Sequence, residues 1–205
     1  MEKDEATQSN PASIEPGEQV QANGRSLICL QIRIRGEPVK YLLDVNAPCQ
    51  RLIFDWCQDG FLYEFPTVLA LDQVLAPGDT FLDIGAHVGF FTLIAARMVA
   101  PGGHVVAFEP NSVNFDFLRR NVRANGFENI TLINAALGES EGTVTLFENL
   151  DNDGAHALWR PGLHPMNLRS QGHDRSSAVA QTTLDSVAER LGLANIKAVK
   201  IDTEG

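Results

Sequence analysis

The sequence predicts an α/β fold, a doubly wound and mostly parallel sheet preceded by an N-terminal β-hairpin. Three observations carry this. From residue 80 onward, short apolar runs alternate with helical patterns, the rhythm of a parallel sheet covered by helices on both faces. Four of those runs end in a polar residue: Asp83, Glu109, Asn134 and Asp202. Ahead of residue 61 the period becomes two, in "SLICLQIRIRG" and "EPVKYLLDV", as in paired strands that bury one face.

The elements follow in order. Residues 1–24 hold five acids against one lysine and show no hydrophobic period, so they are expected to form a disordered acidic tail. Residues 25–60 are the β-hairpin, turning at Gly36, and its connection; the stretch 46–64 is mixed and rich in aromatics. The main domain is expected over 61–205. A short helix begins at Pro66, where proline is tolerated in the first turn, runs to about Leu75, and is stopped by "APGD". "TFLDIG" is a buried strand, "GFFTLIAARMV" a helix ended by "APGG", and "HVVAFEP" the second strand. Asn111 can cap the next helix, which places Val113, Phe117, Leu118 and Val122 on one face and closes at "ANG". "ITLINAAL" is the third strand. Residues 138–182 break the alternation, with β segments "GTVTLFEN" and "SAVAQTTL" around a loop containing Gly, His and Pro. "TLDSVAERLGL" is a helix, and "IKAVKIDTEG" a fourth strand beside the first.

Composition bounds the partners. The 205 residues are 44% hydrophobic and 20% charged, as in a globular domain with a real core. A formal net charge of −10 argues against nucleic acid and anionic membrane surfaces, which need clustered cations. Arg119, Arg120 and Arg123 do cluster, but at the spacing of a solvated helix face. Cys29, Cys49 and Cys57 are odd in number and lack C-x-x-C spacing, which gives neither a disulfide framework nor a zinc knot. The N-terminus has no apolar signal region. The most apolar window, 81–100, is interrupted by Asp83, His87 and Arg97. A cytoplasmic protein with no membrane span is expected.

In an open parallel sheet the ligand sits beyond the carboxyl ends of the strands, at the topological switch point. Asp83, Glu109, Asn134 and Asp202 should therefore share one rim. A single acid there often only caps a helix or turn, but four in register point to a site. The first turn, "DIGAHVG", has two glycines rather than G-x-G-x-x-G. The fixed carboxylate of Asp83 beside it would repel a pyrophosphate and suits a cationic ligand such as S-adenosylmethionine, with its ammonium and sulfonium. Glu109 is placed to accept hydrogen bonds from both ribose hydroxyls. The candidate cofactor-binding residues are Gly85, Ala86, His87 and Gly89 after the first strand, with Glu109, Pro110 and Asn111 after the second. His87 either contacts the cofactor or caps the following helix.

The stretches "FLDIGAHVGFFTLIAARMV", "VVAFEPNSVNFDFLRRNVRANG", "INAALGES" and "TTLDSVAERLGLANIKAVKIDTEG" resemble FkbM-type methyltransferases, in order and from about residue 61 to the terminus. The resemblance implies a class I, Rossmann-like, S-adenosylmethionine-dependent O-methyltransferase whose acceptor is a hydroxyl of a small molecule or sugar. It implies that Asp83, Gly85 and Gly89 shape the methionine pocket, that Glu109 holds the ribose, and that Asn134 and Ala135 border the adenine. Asp202 and Glu204 would face the methyl group and the acceptor; either is a candidate base, and Asp202 can also bind the donor's ammonium. Tyr63 and Glu64 match the family's "YE" and would reach the donor.

No metal site is expected. Only Asp202 and Glu204 fall close together among the candidate acids; "DNDG" at 151–154 fails as a calcium loop because its glycine comes early and no glutamate closes it. That stretch is expected as a loop tip over the acceptor pocket. His156, His164 and His173 are too far apart for zinc. Class I enzymes usually continue with three more strands, so the domain is expected to be incomplete at its C-terminus, with the edge of the fourth strand covered by a homo-oligomer or a partner chain. Two alternatives stand beside the enzyme: a non-catalytic fragment that binds the donor or a partner, and an NAD-dependent enzyme.

Overall fold

The computed structural model describes residues 12–22, 25–193 and 195–204. The elements run β1 (Ala12–Ala22), β2 (Arg25–Ile34), β3 (Glu37–Leu43), α1 (Pro48–Gln58), α2 (Phe65–Val74), β4 (Thr80–Ile84), α3 (Phe90–Val99), β5 (His104–Phe108) and α4 (Ser112–Asn125). They continue with β6 (Ile130–Ile133), β7 (Ala136–Leu137), β8 (Gly142–Phe147), a 3-10 turn at Pro161–Leu163, β9 (Ser176–Thr182), α5 (Leu184–Leu191) and β10 (Ile196–Ile201).

The central sheet has the order β10-β4-β5-β6, and every pair in it is parallel. Successive side chains of a strand point to opposite faces, and here the two faces have different partners. Phe81, Val105 and Ala107 join the larger core with α3. Leu82, Ile84, Val106 and Phe108 pack against Val187 of α5. This is the predicted doubly wound, Rossmann-like arrangement. The chain leaves β4 toward β5 on one side and returns as β10 on the other, so the switch point lies at the end of β4.

The N-terminal strands form a three-stranded antiparallel sheet, β1-β2-β3. Leu27 and the alternating Leu30, Ile32 and Ile34 of β2, with Val39, Tyr41 and Leu43 of β3, enter the same core as α3. Buried polar groups lock the contact. The Tyr41 hydroxyl donates to the carbonyl of Phe90 at 3.0 Å. Asn121 of α4 accepts from the Leu42 amide at 2.7 Å and donates to the Val88 carbonyl at 2.9 Å. The hairpin thus braces the turn after β4.

Three local expectations are corrected. Residues 12–22, assigned to the disordered tail, form β1, which pairs with β2 through a register shift between Glu15 and Glu18. Backbone pairing needs few apolar side chains; among the described side chains of β1, Ile14 and Val20 pack against the core, and Arg33 of β2 also pairs with Glu15 at 2.9 Å. The rest of the expected tail, 1–11 and 23–24, lies outside the described residues. The connection at 46–64 contains α1, whose Gln50, Ile53 and Cys57 are buried at helical spacing. "ITLINAAL" is not one strand. β6 ends at Ile133, and β7 joins a separate sheet of order β7-β9-β8. Among the described residues no helix is long and apolar enough to cross a membrane.

Candidate functional site

A cavity of about 250 Å³ opens at the carboxyl ends of β4, β5 and β10. Its wall includes Gly85, Ala86 and His87 from the turn after β4, Glu109 and Pro110 after β5, and Ala135 after β6. Asp202 and Glu204 close the β10 side, and Tyr63 and Glu64 come from the turn just before α2. Most of the predicted cofactor-binding residues therefore converge on one space.

Asp83, Gly89, Asn111 and Asn134 do not line it, and each has a structural task instead. Asn111 caps α4, accepting from the Val113 and Asn114 amides. Asn134 donates to the carbonyls of Glu109 and Pro110 at 2.7 and 3.2 Å, tying the end of β6 to the turn after β5. Gly89 lies under α4, where a Cβ would stand 2.6 Å from Leu118 Cδ1. Gly85, at φ +79°, brings its backbone so close to β10 that a Cβ would overlap the Asp202 carbonyl oxygen.

Asp83 is fully buried. Its Oδ2 accepts from Thr92 Oγ1 of α3 at 2.5 Å, and its Oδ1 faces Lys200 Nζ of β10 at 3.4 Å. The charge expected to meet the ligand is thus matched inside the protein. Glu109 is also buried but keeps a face on the cavity. Its two oxygens accept from the amides of His87 and Asn111, both at 2.8 Å. Burial pushes its carboxyl pKa up, while the His87 charge and these two amides act against that. Each oxygen retains acceptor capacity for a hydroxyl.

A second cluster closes the opposite wall. The loop after β8 brings Asp153 onto α1 and the glycine turn. Its Oδ1 accepts from the Cys49 amide at 2.6 Å and its Oδ2 meets His87 Nε2 at 2.9 Å. The Asn114 side chain of α4 donates to the Asp153 carbonyl at 2.7 Å. Burial alone would lower the pKa of His87, but the bond to Asp153, the contact with Cys49 and the Asp153 charge push it up to about 10. Asp153 is shifted down; burial opposes the shift, and the His87 bond and charge prevail. The pair is an imidazolium and a carboxylate at neutral pH. His87, at φ +51°, is neither a helix cap nor free in the turn. Tyr63 is pushed well above the usual tyrosine range, by burial first and then by Cys49 and Glu64, so its hydroxyl is a donor. Among the described residues no three His, Cys, Asp or Glu gather as a metal site.

Four residues here escape the sequence reading: Lys200, Asp153, Cys49 and Asn114. Lys200 had a signal, because Lys-x-Asp in a strand places both side chains on one face. Asp153 lies in the stretch expected as a loop tip over a pocket, and residues 152–154 do line the cavity; its pairing with His87 had no signal, since 66 residues separate the two.

The methyltransferase FkbM domain matches residues 83–205, more than half of the chain. The chain belongs to the FkbM methyltransferase family. It is 28% identical over 151 residues to the 31-O-demethyl-FK506 methyltransferase FkbM of Streptomyces tacrolimicus, covering 63% of this chain and 57% of that protein. It is 30% identical over 149 residues to the methyltransferase sdnD of Sordaria araneosa, covering 70% and 52%. The chain therefore spans little more than half the length of these two curated relatives. Among solved structures, a SAM dependent methyltransferase from Aquifex aeolicus is 24% identical over 34% of this chain and 37% of its own, with a TM-score of 0.31.

Proposed function

We propose that this chain binds S-adenosylmethionine in the cavity at the ends of β4, β5 and β10 and serves methyl transfer to a hydroxyl of a small molecule or sugar. The observation that carries it is the convergence on one wall of the glycine turn, Glu109, Ala135, Asp202 and Glu204, in a chain of this family. The residues present fit the group. The carboxylates of Asp202 and Glu204 line the β10 side of the cavity, where a cationic donor end would be favoured and a pyrophosphate repelled. Discrimination against NAD thus rests on Asp202 and Glu204, which line the cavity, rather than on Asp83, which is buried away from it.

When bound, the donor supplies a methyl group on a sulfonium, which leaves with its bonding electrons retained by sulfur. The chain's own residues do the rest. Glu109 accepts from the ribose hydroxyls and at the same time holds the His87 and Asn111 amides, so one carboxylate shapes both turns. Gly85, Ala86 and His87 present backbone to the donor, and Ala135 borders the adenine. Glu204 takes the acceptor's proton as the oxygen–methyl bond forms. Alignment by the walls supplies the larger share of the rate, for orientation can contribute on the order of 7–11 kcal/mol.

Calorimetric titration of the 205-residue chain with S-adenosylhomocysteine, with NAD as the control, tests the donor site. Micromolar binding of the first and none of the second is expected. NAD binding of equal strength would overturn the charge assignment, and a folded chain that binds neither would favour the non-catalytic reading.

A further inference from the structure

Lys200 sits at the cavity with more capacity than its partners use. Its ammonium lies 3.4 Å from Asp83 Oδ1 and 3.2 Å from Asp202 Oδ2, both long for charge-assisted hydrogen bonds. Phe91 backs it, with the ring centroid 5.0 Å away, a favourable cation–π position. The side chain is buried to 12% exposure yet still lines the cavity beside Gly85 and Asp202. An ammonium has three donors and no acceptor, so two loose carboxylate contacts leave it able to serve a third anion. Asp83 Oδ1, sealed and without a hydrogen-bond partner among the described residues, fixes the lysine from below.

We infer that Lys200 and Asp202 form a recognition pair for the α-amino-acid end of the donor, Lys200 taking its carboxylate and Asp202 its ammonium. The inference rests on the proposed donor site and assigns that site's charged end. An amino-acid terminus carries adjacent charges of opposite sign, and the site offers the complementary pair on one strand. Lys200 is two residues before Asp202, which puts both on the same side of β10. Asp202 is 66% exposed and has carboxylate surface to give. Asp83 acts one layer deeper as the anchor of Lys200, paired with it across the β4–β10 register.

The test compares three probes on wild type and Lys200→Met by calorimetry: S-adenosylhomocysteine, its decarboxylated analogue and methylthioadenosine. In wild type, removal of the carboxylate should weaken binding by about tenfold or more, the range of one hydrogen bond to a charged group. In Lys200→Met that ratio should fall to near one, with methylthioadenosine binding unchanged. Lys200→Met leaves Asp83 without its cation, so the same ratio is read in Asp83→Asn/Lys200→Met, where no buried charge is unmatched, and Lys200→Arg should restore the preference. A carboxylate preference that persists in either Met variant overturns the assignment and leaves Lys200 as a counter-ion of Asp83 only. Binding of methylthioadenosine alone, as tight as that of S-adenosylhomocysteine in wild type, would also overturn it while leaving the donor site standing. Failure of all three probes on folded wild type would instead remove the donor site itself.

Discussion

Asp83 and Asp202 are the same residue type at the ends of neighbouring parallel strands, and they live in opposite worlds. Asp83 is the fourth residue of β4, while Asp202 lies one past the end of β10. Two side chains of α3 cover the first, Thr92 by a hydrogen bond and Phe91 by its stack on Lys200. The second stands in solvent at the cavity mouth. A displacement of two residues relative to the strand end decides whether an acid holds the sheet together or meets a ligand. Glu109 lies between these cases. One residue past β5, it is buried by the turns whose amides it accepts, yet it still lines the cavity.

The widest gap between the two aspartates should appear in stability. Asp83→Ala removes one partner of a buried ion pair and leaves the Lys200 ammonium at 12% exposure with only a solvent-facing carboxylate beside it. Loss of about 3–5 kcal/mol is expected, read as a lower denaturant midpoint. An effect below 1 kcal/mol would mean that the pair contributes little and that the two acids differ less than their burial indicates.

Gly85→Ala probes the same seam from the backbone. The residue is at φ +79°, and a Cβ would overlap the Asp202 carbonyl, so roughly 2–3 kcal/mol should be lost, with donor affinity falling as the turn moves off β10. Gly126→Ala is the control. That glycine closes α4 at φ +64° with open space around it, so only the left-handed backbone is penalised, at about 1 kcal/mol. Equal costs at the two positions would remove the close approach to β10 as the reason for Gly85.

The opposite wall titrates. His87 is raised to about 10 from an ordinary value of 6.5, so its contribution is complete below about 6.5 and declines as pH rises toward 10. Asp153 is shifted the other way; its contribution is lost only as pH falls below the usual carboxylate range. The stability difference between wild type and His87→Gln should therefore be flat from pH 5 to 6.5 and shrink steadily on the alkaline side. Thermal melts across pH 5–10 check this. A difference that does not vary with pH would mean that the ring is neutral against Asp153.

Much of this contrast was legible in the sequence, and the part that was not has a physical cause. The strand–helix alternation was plain because β4 and β5 are buried on both faces and read as short, mostly apolar runs, broken in β4 only by Asp83. The rim was legible too, because polar residues after such runs must gather at one end of a parallel sheet. What a strand-end acid does there depends on what covers it, and Thr92, Phe91 and Lys200 come from two other elements. α1 was hidden because its exposed face carries Leu52 and Trp56, which blurs the period that Gln50, Ile53 and Cys57 set. β1 was hidden because a strand that pairs on an existing edge gains its stability from backbone bonds, which leave little trace in composition.

Asp202→Asn is expected to disturb the fold least and so to sharpen the comparison most. The side chain is 66% exposed, and Lys200 keeps Asp83 as its buried partner when the charge at 202 is removed. Unfolding free energy should move by no more than about 0.5 kcal/mol, as for most surface positions. The amide of Asn can still accept one hydrogen bond but offers no charge to an ammonium. Affinity for S-adenosylhomocysteine should then fall by about tenfold, while methylthioadenosine, which has no amino-acid end, should bind as before. An aspartate that can lose its charge without loss of stability, and whose loss is felt only by ligands carrying an ammonium, is a recognition group. If Asp202→Asn instead lowered stability as Asp83→Ala does, Lys200 would be held from the solvent side as well, and the division between a buried anchor and an exposed recognition acid would not hold.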